Sequence, residues 1–203
     1  MILNNENICI FGRRGHGKST LCKNLQEFFS NVIIFDTLYE YSEENTFTNY
    51  KEFSDFIIET QNIQFGLRAV VQLSFEDAKD SEIFDEYIKM IYYRGNCTII
   101  LEEAQNYASV YKIPDFLKQA SLTGRHKGIN FITTTQRIAE IHKSLLSQAH
   151  HIFAGYTDSP NDLKTLKEYG FLYENIVELE KYHFNWKFDR TKLIIDNNLN
   201  FPI

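Results

Sequence analysis

"FGRRGHGKST" occupies residues 11–20, and its reading decides how the rest of the chain is read. Gly12, Gly15 and Gly17 are set among bulky polar residues, and the stretch closes on Lys18-Ser19-Thr20. The spacing Gly12-x-x-x-x-Gly17-Lys18-Ser19 is that of a phosphate-binding loop. Glycines let the chain turn tightly and place no Cβ between backbone N–H groups and an anion. Those N–H groups form a nest for a β-phosphate, and the start of the following helix adds partial positive charge. Lys18 is placed to reach the β- and γ-phosphates, and Ser19 to put its hydroxyl on Mg²⁺. The candidate nucleotide-binding set is therefore Gly12, Arg13, Arg14, Gly15, His16, Gly17, Lys18, Ser19 and Thr20, with ATP and Mg²⁺ as expected cofactors.

The flanks supply the context that such a loop needs. "NICIF" (7–11) is a short apolar run suited to a buried strand, and "STLCKNLQEFF" (19–29) carries Leu21, Leu25, Phe28 and Phe29 at helical spacing. Further out the alternation continues. Strands are predicted at 31–36, 67–73, 97–101, 129–135 and 151–157, with a closing pair at 182–188 and 192–196. Helices are predicted at 48–60, 81–93, 102–111, 114–126, 139–150 and 161–170. Continuous apolar strands alternating with helices mean an α/β fold, a mostly parallel sheet with helices on both faces. Ligands on such sheets bind at the carboxyl ends of the strands. The glycine loop, Asp36, Glu102 and Gln136 all fall there.

The chain has 203 residues, which one domain accommodates, and 43% hydrophobic with 24% charged content reads as globular. No apolar run approaches the roughly 20 residues that span a bilayer, and "MILNNENICIF" (1–11) has neither a basic start nor a cleavage pattern. The expectation is a chain that is not secreted and has no transmembrane segment. Cys9, Cys22 and Cys97 show no metal or disulfide spacing, which suits structural thiols in a reducing compartment. A net charge of −6 excludes one broad basic face for nucleic acid. Any contact with DNA is then local, through a few basic residues.

"TIILEEAQNY" (98–107) carries the second acidic motif. In phosphate-loop NTPases an acidic residue ending an apolar strand holds Mg²⁺, and a carboxylate beside it can activate water. Glu102 is assigned to the metal, through water, and Glu103 to the attacking water. Two adjacent glutamates also suit a plain helix N-terminus. In "INFITTTQR" (129–137), Gln136 ends an apolar strand where a polar side chain can sense the γ-phosphate; the threonines before it also fit ordinary strand preference.

These segments together resemble the FtsK/HerA superfamily of DNA-pumping ATPases. The likeness runs through "GRRGHGKST", "VIIFD", "IILEEAQNY" and "SLTGRHKGINFITTTQRIAEIHKSLLSQAHHIFAG", over about residues 7–175. A Glu at the metal position departs from the commoner Asp. The resemblance implies a RecA-like (ASCE) core, a ring that is commonly a hexamer, and ATP bound between subunits. It implies an arginine finger reaching the neighbour's site, and the matching residue is Arg125 in "TGRHKG". Arg137 is the second candidate. Taken alone, Arg125 with His126 and Lys127 also reads as a basic helix terminus.

Family members with membrane segments, a winged-helix domain or a barrel are larger than this chain. A bare motor of this size resembles the genome-packaging ATPases of viruses with internal membranes. The implied function is ATP-driven translocation of double-stranded DNA, located in the host cytoplasm or at a packaging vertex of the virion. Implied partners are DNA, further copies of the chain, and capsid-vertex, portal or internal-membrane proteins. A plasmid- or host-encoded translocase in repair or transfer, and a nucleotide-dependent assembly switch, are the competing readings. Lys112, Lys118 and Lys127 are candidate DNA contacts. The whole of 1–203 is expected to form one motor domain, its tail (about 182–203) adding strands or reaching a neighbour.

Overall fold

A computed structural model describes residues 6–188 and the backbone of 192–194. In chain order the elements begin with β1 (Ile8–Phe11), α1 (Lys18–Gln26), β2 (Val32–Phe35), β3 (Thr46–Phe47), α2 (Tyr50–Glu59) and β4 (Arg68–Val71). Next come α3 (Phe75–Lys79), α4 (Ser81–Arg94), β5 (Cys97–Leu101), α5 (Asp115–Thr123) and β6 (Ile129–Thr135). The last are α6 (Lys143–Ser147), β7 (His151–Ala154), α7 (Pro160–Glu168), α8 (Tyr173–Val177), β8 (Asn185–Phe188) and β9 (Lys192–Ile194).

One sheet runs in the order β3-β4-β2-β5-β6-β1-β7-β8-β9. Pairing is parallel from β3 through β7 and antiparallel for β8 and β9. The apolar runs explain this arrangement, because a parallel strand covered on both faces has no polar side to show. Alternate residues divide between two cores. Cys9, Phe11, Ile33, Phe35, Val71, Ile99 and Leu101 face α2, α4 and α5. Ile8, Ile10, Val32, Ile34, Val70, Ile100 and Phe153 face the Leu21, Cys22 and Leu25 stripe of α1. The β1 strand lies between β6 and β7, where the connections change direction, so the crevice opens at its carboxyl end.

Local signals set the helix starts. Asn49 accepts the Glu52 N–H at 3.0 Å to open α2, and Asp80 accepts those of Glu82 and Ile83 to open α4. At the amino end of the sheet, buried Asn31 donates to the Gln64 and Asn96 carbonyls at 2.8 and 2.9 Å and accepts the Leu67 N–H.

Two predicted helices contract. Over 102–111 only a 3₁₀ turn, Ala104–Asn106, forms, because Glu103 is left-handed (φ 52°, ψ 61°) and cannot begin an α-helix. Over 139–150 a 3₁₀ turn (Ile138–Glu140) and the short α6 are separated by extended Ile141, which bridges to Ser109. The short elements β3, α3 and α8 are additions to the predicted set. The closing strand pair forms as expected, though part of 182–203 lies outside the described residues. Among the described residues no helix is long and apolar enough to cross a membrane. The three cysteines are buried and unpaired.

The β7–β8 pairing is pinned by His151. Its ring stacks with Trp186 and Phe188, its Nδ1 accepts the Trp186 indole N–H at 3.1 Å, and its Nε2 lies 2.8 Å from Glu6. With Nδ1 accepting, the imidazole is neutral and Nε2–H donates to Glu6. Burial pushes its pKa below the ordinary value, against the pull of Glu6. A depressed folded-state pKa gives stability that is present above about pH 6.5 and lost as pH falls through it. Thermal melts between about pH 7 and pH 5 should therefore show falling midpoints, and a shallower fall in His151→Gln.

Candidate functional site

The loop after β1 is drawn taut by its backbone. The Gly12 N–H donates to the Thr135 carbonyl at 3.3 Å and the Arg13 N–H to the Tyr156 carbonyl at 3.0 Å. Gly12 also lies against Gly155, where an added Cβ would sit 3.3 Å from backbone. Gly17 takes φ 92° as the residue that opens α1, a conformation that favours glycine. The first helical bond runs from the Leu21 N–H to the Gly17 carbonyl. The N–H groups of Lys18, Ser19 and Thr20 precede it and point out of the helix start, as anion donors do.

His16 turns its ring onto a neighbouring aromatic. It stacks on Tyr156 with ring centroids 5.2 Å apart, and burial, then Lys181, Arg13 and Lys18, push its pKa down. The Arg13 N–H is already engaged, and its exposed guanidinium pairs with Asp158 at 3.4 Å. Arg14 lines the cleft.

Beside the loop, β5 and β6 deliver a buried acidic cluster. Glu102, Glu103 and Lys18 are 3%, 5% and 6% exposed, so each charge needs partners. Lys18 Nζ lies 3.7 Å from Glu103 Oε1. Burial pushes the Lys18 ammonium pKa down, and Glu103 followed by Glu102 resists. Glu103 Oε1 accepts the Gln136 side-chain amide at 2.8 Å, and Oε2 accepts that of Gln105 at 2.7 Å.

One hydroxyl ties the Glu102 carboxylate to the Glu103 backbone. Thr134 Oγ1 donates to Glu102 Oε2 and accepts the Glu103 backbone N–H at 3.0 Å. The Tyr41 hydroxyl donates to the other Glu102 oxygen at 2.5 Å. Burial raises the Glu102 pKa; the bonds from Thr134 and Tyr41 oppose it and do not win.

The cleft has a volume of about 480 Å³ and is lined by Lys18, Ser19, Thr20, Glu40, Glu103, Gln136 and Tyr182. Most of the sequence candidates therefore converge. Glu102 sits behind the wall that Glu103 forms. Arg125 does not enter this cleft: it is exposed on a 3₁₀ turn (Gly124–Lys127) before β6, at the opposite end of the sheet. Arg137 is held by Asp162 at 3.0 Å and Glu140 at 3.3 Å. Lys112, Lys118 and Lys127 are exposed, and Lys127 rests over the Tyr92 ring.

The sequence reading missed Tyr41, Glu40, Gln105 and Tyr182. Only Gln105 left a trace, two positions past Glu103 in the quoted acidic motif. The cleft's hydroxyl and carboxylate oxygens are hard donors. Magnesium takes few protein ligands and fills its shell with water and phosphate oxygens, so the residues present fit that ion.

The fold is that of a P-loop NTPase, a mostly parallel sheet flanked by helices with the glycine loop after an interior strand. It is shared with the genome packaging NTPase B204 of Sulfolobus turreted icosahedral virus 2, solved with sulfate. The TM-score is 0.72 and the identity 24%, over 94% of this chain and 98% of that one. B204, the DNA-packaging ATPase of Sulfolobus turreted icosahedral virus, superimposes with a TM-score of 0.68 at 22% identity, over 95% and 96% of the two chains. VirB4 of Thermoanaerobacter pseudethanolicus follows at 0.59 and 11%, over 95% and 89%. B204 of the first virus is also solved with AMPPCP and with ATP-gammaS. No protein-family model matches the chain, and no curated protein does.

The Thr134 hydroxyl is the shared support of the cluster. Thr134→Val leaves a buried carboxylate oxygen and a buried N–H short of a partner, which costs about 2–4 kcal/mol. Urea denaturation should show that loss, and Thr134→Ser should restore most of it.

Proposed function

We propose that the chain is an ATP-hydrolysing translocase of double-stranded DNA, of the viral genome-packaging type. One observation carries the reading. Lys18, Glu103 and Gln136 meet in one cleft beside a phosphate-binding loop, on a fold shared with two packaging NTPases.

In this reading the triphosphate lies in the N–H nest of Gly15 to Thr20, its γ end toward Lys18. Magnesium would be held by Ser19, with Glu102, behind Glu103, reaching it only through water, and would supply positive charge to the triphosphate. Glu103 accepts the proton of the attacking water, and the amides of Gln105 and Gln136 fix the carboxylate's aim. Gln136 also senses the γ-phosphate, since its amide faces both the cleft and Glu103. Arg125 stands too far from its own cleft to act there, so it serves a neighbouring subunit in a ring, with hexamer the expected size. Such an arginine stabilises charge on the transferred phosphoryl group.

DNA is gripped by its backbone, which suits a pump that accepts any sequence and makes binding salt-sensitive. Lys112 is the best placed of the candidate lysines. It is exposed beside Tyr111, on the segment that follows the Glu103 turn and bridges to Ile141 beyond Gln136. The working location is the host cytoplasm or the packaging vertex of a virion.

The test is the ATPase rate with and without linear double-stranded DNA, at low and moderate salt. DNA should stimulate hydrolysis, more so at low salt, and Arg125→Ala should abolish the stimulated rate. Hydrolysis indifferent to DNA and to Arg125→Ala would overturn both the translocase reading and the finger.

A further inference from the structure

Tyr182 stands apart in both backbone and position. It takes φ 66°, a left-handed conformation that a bulky residue rarely adopts. Such strain persists only where surrounding structure imposes it, and it concentrates at ligand clamps. Here the imposition is visible. The Tyr182 N–H donates to the His16 carbonyl at 3.3 Å, which clips the segment before β8 onto the phosphate loop. The ring runs along Gly17, where an added Cβ would sit 2.5 Å from Tyr182 Cδ1. The residue is nevertheless 63% exposed and lines the cleft with Arg14, Gly17 and Thr20. No other aromatic ring stacks on it among the described residues.

The sheet order gives the cleft a direction. Glu103 and Gln136 come from β5 and β6, on one side of β1. Tyr182 comes from the β7–β8 side. A nucleotide whose γ-phosphate faces Lys18 and Glu103 leads its α-phosphate past Thr20 and its base away from the acidic cluster, toward Tyr182. The exposed face of a phenol ring there offers what a nucleobase binds by stacking, a flat apolar surface.

We propose that Tyr182 is the platform on which the nucleobase of the bound nucleoside triphosphate stacks. The inference rests on the nucleotide-cleft reading above and adds the residue that holds the base end. Stacking uses the ring and not the hydroxyl, so phenylalanine should replace tyrosine and alanine should not.

Calorimetric titration of the full chain separates the two ends of the ligand. ATP probes base and phosphates together, and inorganic tripolyphosphate probes the loop alone. Tyr182→Ala should weaken ATP by about 10- to 100-fold and leave tripolyphosphate unchanged, while Tyr182→Phe should bind ATP like the native chain. ATP affinity unaltered in Tyr182→Ala would overturn the proposal. So would a parallel loss of both ligands, which would make Tyr182 a support of the loop only, or a Phe variant as weak as the Ala variant. A native chain that binds neither ligand would overturn the nucleotide-cleft reading itself, and this inference with it.

Discussion

Three charged groups are buried together at the carboxyl ends of β1, β5 and β6, and the surrounding structure is arranged to tolerate them. Taking an ion out of water costs several kcal/mol even after relaxation. Lys18 and Glu103 offset part of this by pairing at 3.7 Å. Among the described residues no cation pairs with Glu102, which instead receives the hydroxyls of Tyr41 and Thr134. The two carboxylates therefore differ in kind. Glu103 faces the cleft with its oxygens steered by two amides; Glu102 is enclosed, and burial holds its pKa high. Adjacent residues gain different chemistry because the backbone turns between them.

That turn is the left-handed Glu103, one of four non-glycine residues with positive φ among those described. Its N–H is fixed by Thr134, so β6 determines the posture of a residue that belongs to the end of β5. The same strand presents Gln136 to the Glu103 carboxylate and the Thr135 hydroxyl to Gln105. A displacement of β6 relative to β5 thus changes the contacts of Glu103 and Gln105 together. The Ser109–Ile141 bridge carries the connection on to the exposed segment bearing Tyr111 and Lys112.

The parts of this arrangement legible in the sequence are those encoded by local spacing. "VIIF" and "CTIIL" read as buried strands because every residue is apolar or β-branched, and they are. The turn from β1 into α1 falls where the glycines at fixed offsets from Gly12 put it. The helix expected after Glu102 failed because spacing cannot register a left-handed residue imposed by a threonine 31 positions away. Tyr41 meets Glu102 across 61 positions, and Tyr182 reaches the loop from beyond α8. Neither contact has any local pattern; each exists only once the sheet is assembled.

In the proposed mechanism Glu103 is the group that acts on water. The direct measurement is single-turnover hydrolysis of ATP by Glu103→Gln, beside its affinity for ATP. Removing the general base should slow hydrolysis by about 100-fold or more. Affinity should stay level or tighten, because the neutral amide no longer competes with the γ-phosphate for Lys18. Hydrolysis at the native rate, or affinity that collapses along with it, would contradict the assignment and leave Glu103 as a structural partner of Lys18.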